Sequence, residues 1–321
     1  MSQGSIELKK RIDVAVGVIR QGENVLVGQR LVQDRYFRKW EFPGGKLDAN
    51  EDPFSALKRE LSEELNVIVL AARPLITLEH DYPDRHVRLF VYVVNDFAGE
   101  PVGAEGQSLK WVKPSECFDL DFLDANLPIT NAVQLPEQMF ITDIQRYGFK
   151  KTLSVVEKFC REEEPSFALQ LREDFDSRMK LEECLRALRE VMGKRAIFLN
   201  GDPQVAFDLG FDGVQLNRHR AKKVMGRSEL PDFWVGVSCH GQSELSHAEK
   251  VADFALLSPV QRTSSHPDEL GMGWSRFGVL VRQAKLPCYA LGGVVTEDIE
   301  TAWSFGAQGI AAISSVWSIS D

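Results

Sequence analysis

Within residues 45–67, GKLDANEDPFSALKRELSEELNV, the side chains of Glu51, Arg59, Glu60, Glu63 and Glu64, with Gly45 ahead of them, recur at a spacing suited to chemistry on a charged phosphate. Glu60, Glu63 and Glu64 stand at i, i+3 and i+4, so on a helix they share one face, where like charges repel by roughly 0.2–0.5 kcal/mol per pair. Acidic oxygens gathered on one rigid element suit a hard divalent cation, which takes oxygen ligands and dehydrates reluctantly. A solvated acidic face would account for the three glutamates alone. It leaves Gly44-Gly45, Glu51 and Arg59 without a role. The set therefore points to a metal-binding loop–helix–loop for diphosphate cleavage.

The helix that positions these groups is expected over 53–65. Asp52 supplies an N-cap, Pro53 a first helical residue, and no Gly or Pro interrupts the following dozen positions. Around it the β-branched runs 13–19 (DVAVGVI) and 24–29 (NVLVGQ) flank a Gln21-Gly22 turn and predict a hairpin. Strands are also expected at 75–80, 86–94 and 109–112, with a brief helix at 114–117, which completes a mixed sheet by about residue 127. Beyond it strands and helices alternate. Eight strand candidates, at 139–142, 167–171, 196–200, 213–216, 234–238, 254–258, 288–291 and 309–313, predict a compact TIM (β/α)8 barrel with a short or missing last helix. The fold class is thus a two-domain α/β protein: residues 1–128, a proline-bracketed linker at 129–137, and the barrel at 138–321.

The 321 residues, 44% hydrophobic and 9% aromatic, suffice for two packed cores. A net charge of -9 argues against gripping a nucleic acid polymer, which takes a basic stripe that displaces counterions. A small metal-complexed nucleotide remains compatible with an acidic chain. The five scattered cysteines contain no C-x-x-C and read as reduced thiols. No apolar run approaches the ~20 residues that span a bilayer, and the opening MSQGSIELKKRID lacks a leader pattern, so no membrane partner is expected and the cytoplasm is the expected compartment.

The segment 45–67 resembles the Nudix signature: Gly, five residues, Glu, seven residues, Arg-Glu, an aliphatic, any residue, Glu-Glu, any residue, Gly, an aliphatic. Asn66 stands where that pattern has its last Gly. A left-handed residue commonly closes a helix there, and Asn serves as Gly does. WEFPGGK (40–46), YPDRH (82–86), GAEGQ (103–107) and DANLP (124–128) extend the likeness to the MutT-type pyrophosphohydrolases that remove 8-oxoguanine nucleotides. The resemblance implies an α/β/α sandwich around a mixed sheet, Mg2+ or alternatively Mn2+ as cofactor, and an oxidised purine nucleoside triphosphate as substrate. It would make Glu60, Glu63, Glu64, Glu105 and the Gly44 carbonyl metal ligands, pair Arg59 with Glu51, and leave Glu60 or Glu105 as general base. Arg30 and Arg85 match positions near the nucleotide; otherwise they are ordinary surface cations. Asn126 carries an amide able to accept from N7–H of 8-oxoguanine while donating to O6, or else is a turn former before Pro128. Trp40 and Phe42 are expected in the core. Other readings are a hydrolase of thiamine-type diphosphates and a ligand sensor with a vestigial hydrolase.

MFITD (139–143), LQLRE (169–173), LGFDGVQL (209–216), SCH (238–240), LSPVQRTSSHP (257–267), ALGGV (290–294) and GAQGIAAIS (306–314) resemble thiamine phosphate synthases and TenI proteins. Gly292-Gly293 and Ser314 match the phosphate cup of such barrels, and His240 matches an acid/base histidine, its alternative being a histidine hydrogen-bonded at a strand end. The synthase machinery departs from the family. Gly201 follows Asn200 where a metal-binding Asp is expected, Asn217-Arg218-His219-Arg220 replaces the second metal carboxylate's region, and Asp174 and His266 replace two lysines. The expectation is a degenerate barrel that binds a phosphorylated thiazole or pyrimidine.

Overall fold

A computed structural model describes residues 10–83, 85–161, 166–175, 177–263 and 270–318, so His266 lies outside the described residues. Two compact units divide between Gln134 and Leu135. In the first, the strands are β1 (Lys10–Gln21), β2 (Asn24–Gln29), β3 (Trp40–Glu41), β4 (Gly44–Lys46), β5 (Ile68–Asp81), β6 (Arg85–Ala98) and β7 (Leu109–Val112). They form one sheet in the order β3-β2-β1-β6-β5, with β4 on β1 and β7 on β2. β1 and β6 run parallel, Val14 opposite Leu89, while the other pairs are antiparallel. The sheet is therefore mixed, as expected.

Alternation along β1 sorts its side chains between two cores. Ala15 and Ile19 join Ala56, Leu57, Leu61 and Leu65 of helix α1 (Pro53–Leu65) on one face. Val16 and Val18 join the opposite core with Val91 and Val93. Between Ala15 and Ile19, Gly17 lets α1 lie directly on the strand: a Cβ there would stand 2.9 Å from a Leu61 methyl and 3.1 Å from a Leu57 methyl. Helix α1 starts and ends where its sequence dictates. Asp52 accepts from the N–H groups of Phe54 and Ser55 at 3.0 and 3.1 Å, and Asn66 closes it in the left-handed conformation at φ 57°.

Two expectations need correction. The stretch 129–137 is not a plain linker, because helix α2 (Leu127–Gln134) occupies most of it and buries Ile129, Thr130, Ala132 and Val133 against the second core. Ile129, Ala132 and Val133 follow helical spacing, and Pro128 sits in the first turn, where a missing N–H costs nothing. Strand β5 also begins at Ile68, well before residue 75; it is an edge strand whose register shifts on either side of Pro74, and edges tolerate proline.

In the second unit eight parallel strands close a barrel: β8 (Gln138–Ile141), β9 (Phe167–Leu171), β10 (Ile197–Asn200), β11 (Gly213–Leu216), β12 (Trp234–Cys239), β13 (Phe254–Leu257), β14 (Cys288–Leu291) and β15 (Gly309–Ala312). Each coincides with a candidate from the sequence. Met139, Ile141, Phe198, Phe254, Leu256 and Tyr289 fill the interior, and a larger ring of apolar residues packs strands to helices outside. The last helix, Ser314–Trp317, is a single turn as expected. Among the described residues no helix is long and apolar enough to cross a membrane.

The Gly17 contact sets the seat of α1. Gly17→Val should destabilise the first unit by roughly 1–3 kcal/mol through overpacking, read as a lower urea midpoint of its unfolding transition; an unchanged midpoint would show that α1 adjusts freely.

Candidate active site

The loop 44–51 is locked to α1 by one guanidinium. Arg59 donates from Nε and Nη2 to the two oxygens of Glu51 at 3.0 and 2.8 Å, from Nη2 to the Lys46 carbonyl at 3.0 Å, and from Nη1 to Glu60 at 2.8 Å and Glu63 at 3.3 Å. The same guanidinium, helped by the Asp48 N–H at 2.9 Å, holds the Glu51 carboxyl below its usual range. Bidentate pairing of this kind fixes orientation as well as charge. Glycine is required on the loop. Gly44 has φ 141° and a Cβ there would strike the Ala15 carbonyl, while a Cβ on Gly45 would overlap the Glu60 carboxyl group.

At the far end of α1, Glu64 accepts from the Gly44 N–H at 3.3 Å. Burial, then the charge of Glu60, and after it those of Glu105 and Glu41, push its carboxyl up to about 7. The 102–107 loop is stitched to the same helix end: the Ala104 N–H and the Gln107 amide both donate to the Glu64 carbonyl at 2.9 Å, and Gln107 takes the Glu105 N–H at 3.0 Å. That stitching sets Glu105 beside Glu64 on a cleft also lined by Gly44 and Arg30. The carboxylates do not close into a ring as their side chains stand. Among the described residues no three acidic, histidine or cysteine side chains gather around one ion position, since Glu60 and Glu63 turn to Arg59, the positive partner the fold offers them. The donor set nonetheless fits a hard cation, being all oxygen, and Glu64, raised by burial and by Glu60 beside it, would be eased by one.

A cavity of about 410 Å3 adjoins this end of α1, and Arg30, Arg85, Asn126, Gly44 and Glu60 all line it. Residues far apart in the chain are thus brought together. Asn126, 5% exposed, accepts the Phe42 N–H on its amide oxygen at 3.0 Å. Arg30 is clamped by both oxygens of Glu41 at 3.1 and 3.2 Å and by Asp34 at 3.2 Å. Tyr36 and Tyr82 form an edge-to-face pair at 5.2 Å on the same cavity, with Arg85 over the Tyr82 ring. Phe42 is buried and packs edge-on to Phe122, whereas Trp40 is only partly buried against that core.

In the barrel, a second cavity of about 410 Å3 opens at the carboxyl ends of the strands, with Ser314 on its lining. Gly292, Gly293 and His240 are not among its lining residues. The two glycines, at φ 96° and 70°, instead admit the segment after β13, because Cβ atoms there would strike Pro259 and the Arg262 carbonyl. His240 sets Nδ1 at 2.9 Å from the Ser258 carbonyl; a carbonyl only accepts, so this nitrogen carries the proton.

These geometries agree with what the chain is similar to. The family described as "NUDIX domain" matches residues 10–132, and that described as "Thiamine monophosphate synthase" matches 138–316. An 8-oxo-dGTP diphosphatase of Haemophilus influenzae is 43% identical over 134 residues, 41% of this chain and 98% of that protein. That of Escherichia coli is 36% identical, over 37% of this chain and 94% of its own length. A provisionally named thiamine-phosphate synthase 2 of Aquifex aeolicus is 33% identical over 57% of this chain and 98% of its length. The chain is a Nudix hydrolase joined to a thiamine monophosphate synthase-family barrel. Nudix hydrolases generally use divalent metals, in keeping with the oxygen donors of α1.

Sequence reasoning about this Nudix–barrel fusion missed Glu41, Asp34, Tyr36 and Tyr82 on the cavity beside α1. A signal existed for Glu41. An ionisable residue between Trp40 and Phe42 that is to be buried needs a partner, and burial does push its carboxyl up while Arg30 draws it down. For Glu64 the linkage has a definite sign. Its carboxyl is protonated in both states below about 4.5 and ionised in both above about 7, so without metal the first unit should lose stability as pH rises through that window. Urea unfolding in EDTA across pH 4–8 checks this: the loss should vanish in Glu64→Gln, and an equal slope in both proteins would mean another group titrates.

Proposed function

We propose that the Nudix unit is a nucleotide-pool sanitising enzyme that converts 8-oxo-dGTP to 8-oxo-dGMP and pyrophosphate with Mg2+, or alternatively Mn2+, in the cytoplasm, protecting DNA replication without binding DNA. The observation that carries this reading is the shared cavity of Asn126, Arg30, Arg85 and Glu60. Glu60, Glu63, Glu64, Glu105 and the Gly44 carbonyl would hold the cation, which when bound neutralises phosphate charge and makes water a better nucleophile. Arg59 keeps Glu60 on the loop side of α1. Water attacks the β phosphorus, its proton passes to Glu60 or Glu105, and the bond from that phosphorus to the α–β bridging oxygen breaks, releasing the monophosphate.

Base choice follows from the amide of Asn126. The Phe42 N–H demands an acceptor, so the oxygen end of the amide is fixed and the NH2 group cannot exchange places with it. The second lone pair of that oxygen suits the N7–H of 8-oxoguanine, and the NH2 group suits O6. Guanine presents a bare acceptor at N7, which would leave two acceptors facing each other, an arrangement that costs far more than a missing contact. Arg30 and Arg85 provide cationic donors for phosphate or base oxygens.

The barrel is read as a binder of a phosphorylated thiazole or pyrimidine rather than a synthase. Supporting this are the cavity at its mouth and the residues Gly201 and Asp174, where synthase chemistry would use a carboxylate and a lysine.

Pyrophosphate release from 8-oxo-dGTP should require a divalent ion and stop with EDTA. Glu60→Gln should lower kcat by about two to four orders of magnitude with the fold intact; undiminished turnover would remove this face of α1 from the chemistry. Asn126→Ala should shrink the preference for 8-oxo-dGTP over dGTP by at least about tenfold in kcat/KM. An unchanged ratio would place base reading elsewhere.

A further inference from the structure

The fold family implies a metal at the barrel mouth, and the residues there do not fit one. Asp143, Glu173 and Asp174 line the cavity, but Gly201 stands next to Asn200 where the family has a metal-binding Asp. Glu173 is occupied in capping, accepting the Ile144 N–H at 2.7 Å. Gly201 carries no donor beside Asn200, and the segment after β11 brings Arg220 to the cavity.

What the mouth does offer is free cation. Arg146, Arg172 and Arg220 line the one cavity, and among the described residues none of the three makes an ion pair or donates a side-chain hydrogen bond; Arg146 only lies over the Tyr147 ring at 5.2 Å. Guanidinium groups left unpaired beside three carboxylates are available to an anion, and their planar forks match phosphate oxygens. Their backbones are fixed in advance. The Arg172 N–H donates to Thr142 at 3.0 Å, joining the ends of β8 and β9. Asn217 takes the His219 and Arg220 N–H groups on its side-chain oxygen at 3.1 and 2.9 Å. Preorganisation of this kind lowers the entropy lost on binding.

We propose that the barrel mouth binds a phosphate or diphosphate ester directly on Arg146, Arg172 and Arg220, without a divalent cation. This rests on the reading of the second unit as a phosphate-binding barrel and replaces the family's metal with arginine. The test is calorimetric titration of the full-length chain with inorganic pyrophosphate, in EDTA and again in Mg2+. Binding should appear in EDTA and weaken at least about tenfold in Arg220→Ala and in Arg172→Ala, with Arg220→Lys retaining part of the affinity. Binding that survives both alanine variants overturns the assignment. Binding that appears only with Mg2+ and is lost in Arg220→Ala overturns the metal-free claim while leaving a phosphate-binding barrel. No binding in either buffer removes both.

Discussion

The guanidinium of Arg59 is the constraint on which the hydrolase site depends. Its donors reach Glu51, Glu60, Glu63 and the Lys46 carbonyl, so one side chain ties the loop that carries Gly44 and Gly45 to the helix that carries the acids. A lysine could offer charge but not the fork, since an ammonium is a point donor without the planar geometry that grips both oxygens of Glu51. The pairing is partly exposed to solvent, so its worth lies in orientation rather than in stability. Held this way, the Glu60 carboxyl sits where only a glycine at 45 leaves it room, and chemistry and backbone become one requirement.

The same unit ties Asn126 to its last helix. Asn126 ends a short turn, Asp124–Asn126, that runs directly into α2, and α2 is held by burying Ile129, Ala132 and Val133. The helix therefore supports the wall of the cavity on which Asn126 lies. A boundary drawn at residue 128 would cut through the element that positions the amide, which makes the error over the linker a functional one.

What was legible in the sequence was local or repetitive. The acidic triad, Asp52, Pro53 and Asn66 all lie within a short segment, so spacing alone placed α1 and its caps. The eight barrel strands are short apolar runs, and their repetition announced the architecture. Pairings made by the sheet escaped notice. Arg30 meets Glu41 because β2 lies against β3, with Gln29 opposite Trp40, and the strand period of two within either element does not reveal which strands pair. Proline misled in both directions: Pro128 starts a helix and Pro74 interrupts a strand without ending it. At Gly292 and Gly293 the structure adds a second reason for glycine, the close packing of 259–262.

On the proposed reading both units take phosphate, and the sign of each cluster dictates how. Around α1, burial and then the neighbouring carboxylates lift Glu64 to about 7, so a cation would ease the approach of an anionic substrate to those acids. At the barrel mouth the arginines carry no internal partner, so an anion can be taken directly. Three carboxylates, Asp143, Glu173 and Asp174, already share that cavity without pairing any of the arginines. On the proposed reading, a further carboxylate at position 201, next to Asn200, would tip the balance of charge against an anion, whereas glycine leaves it in the arginines' favour.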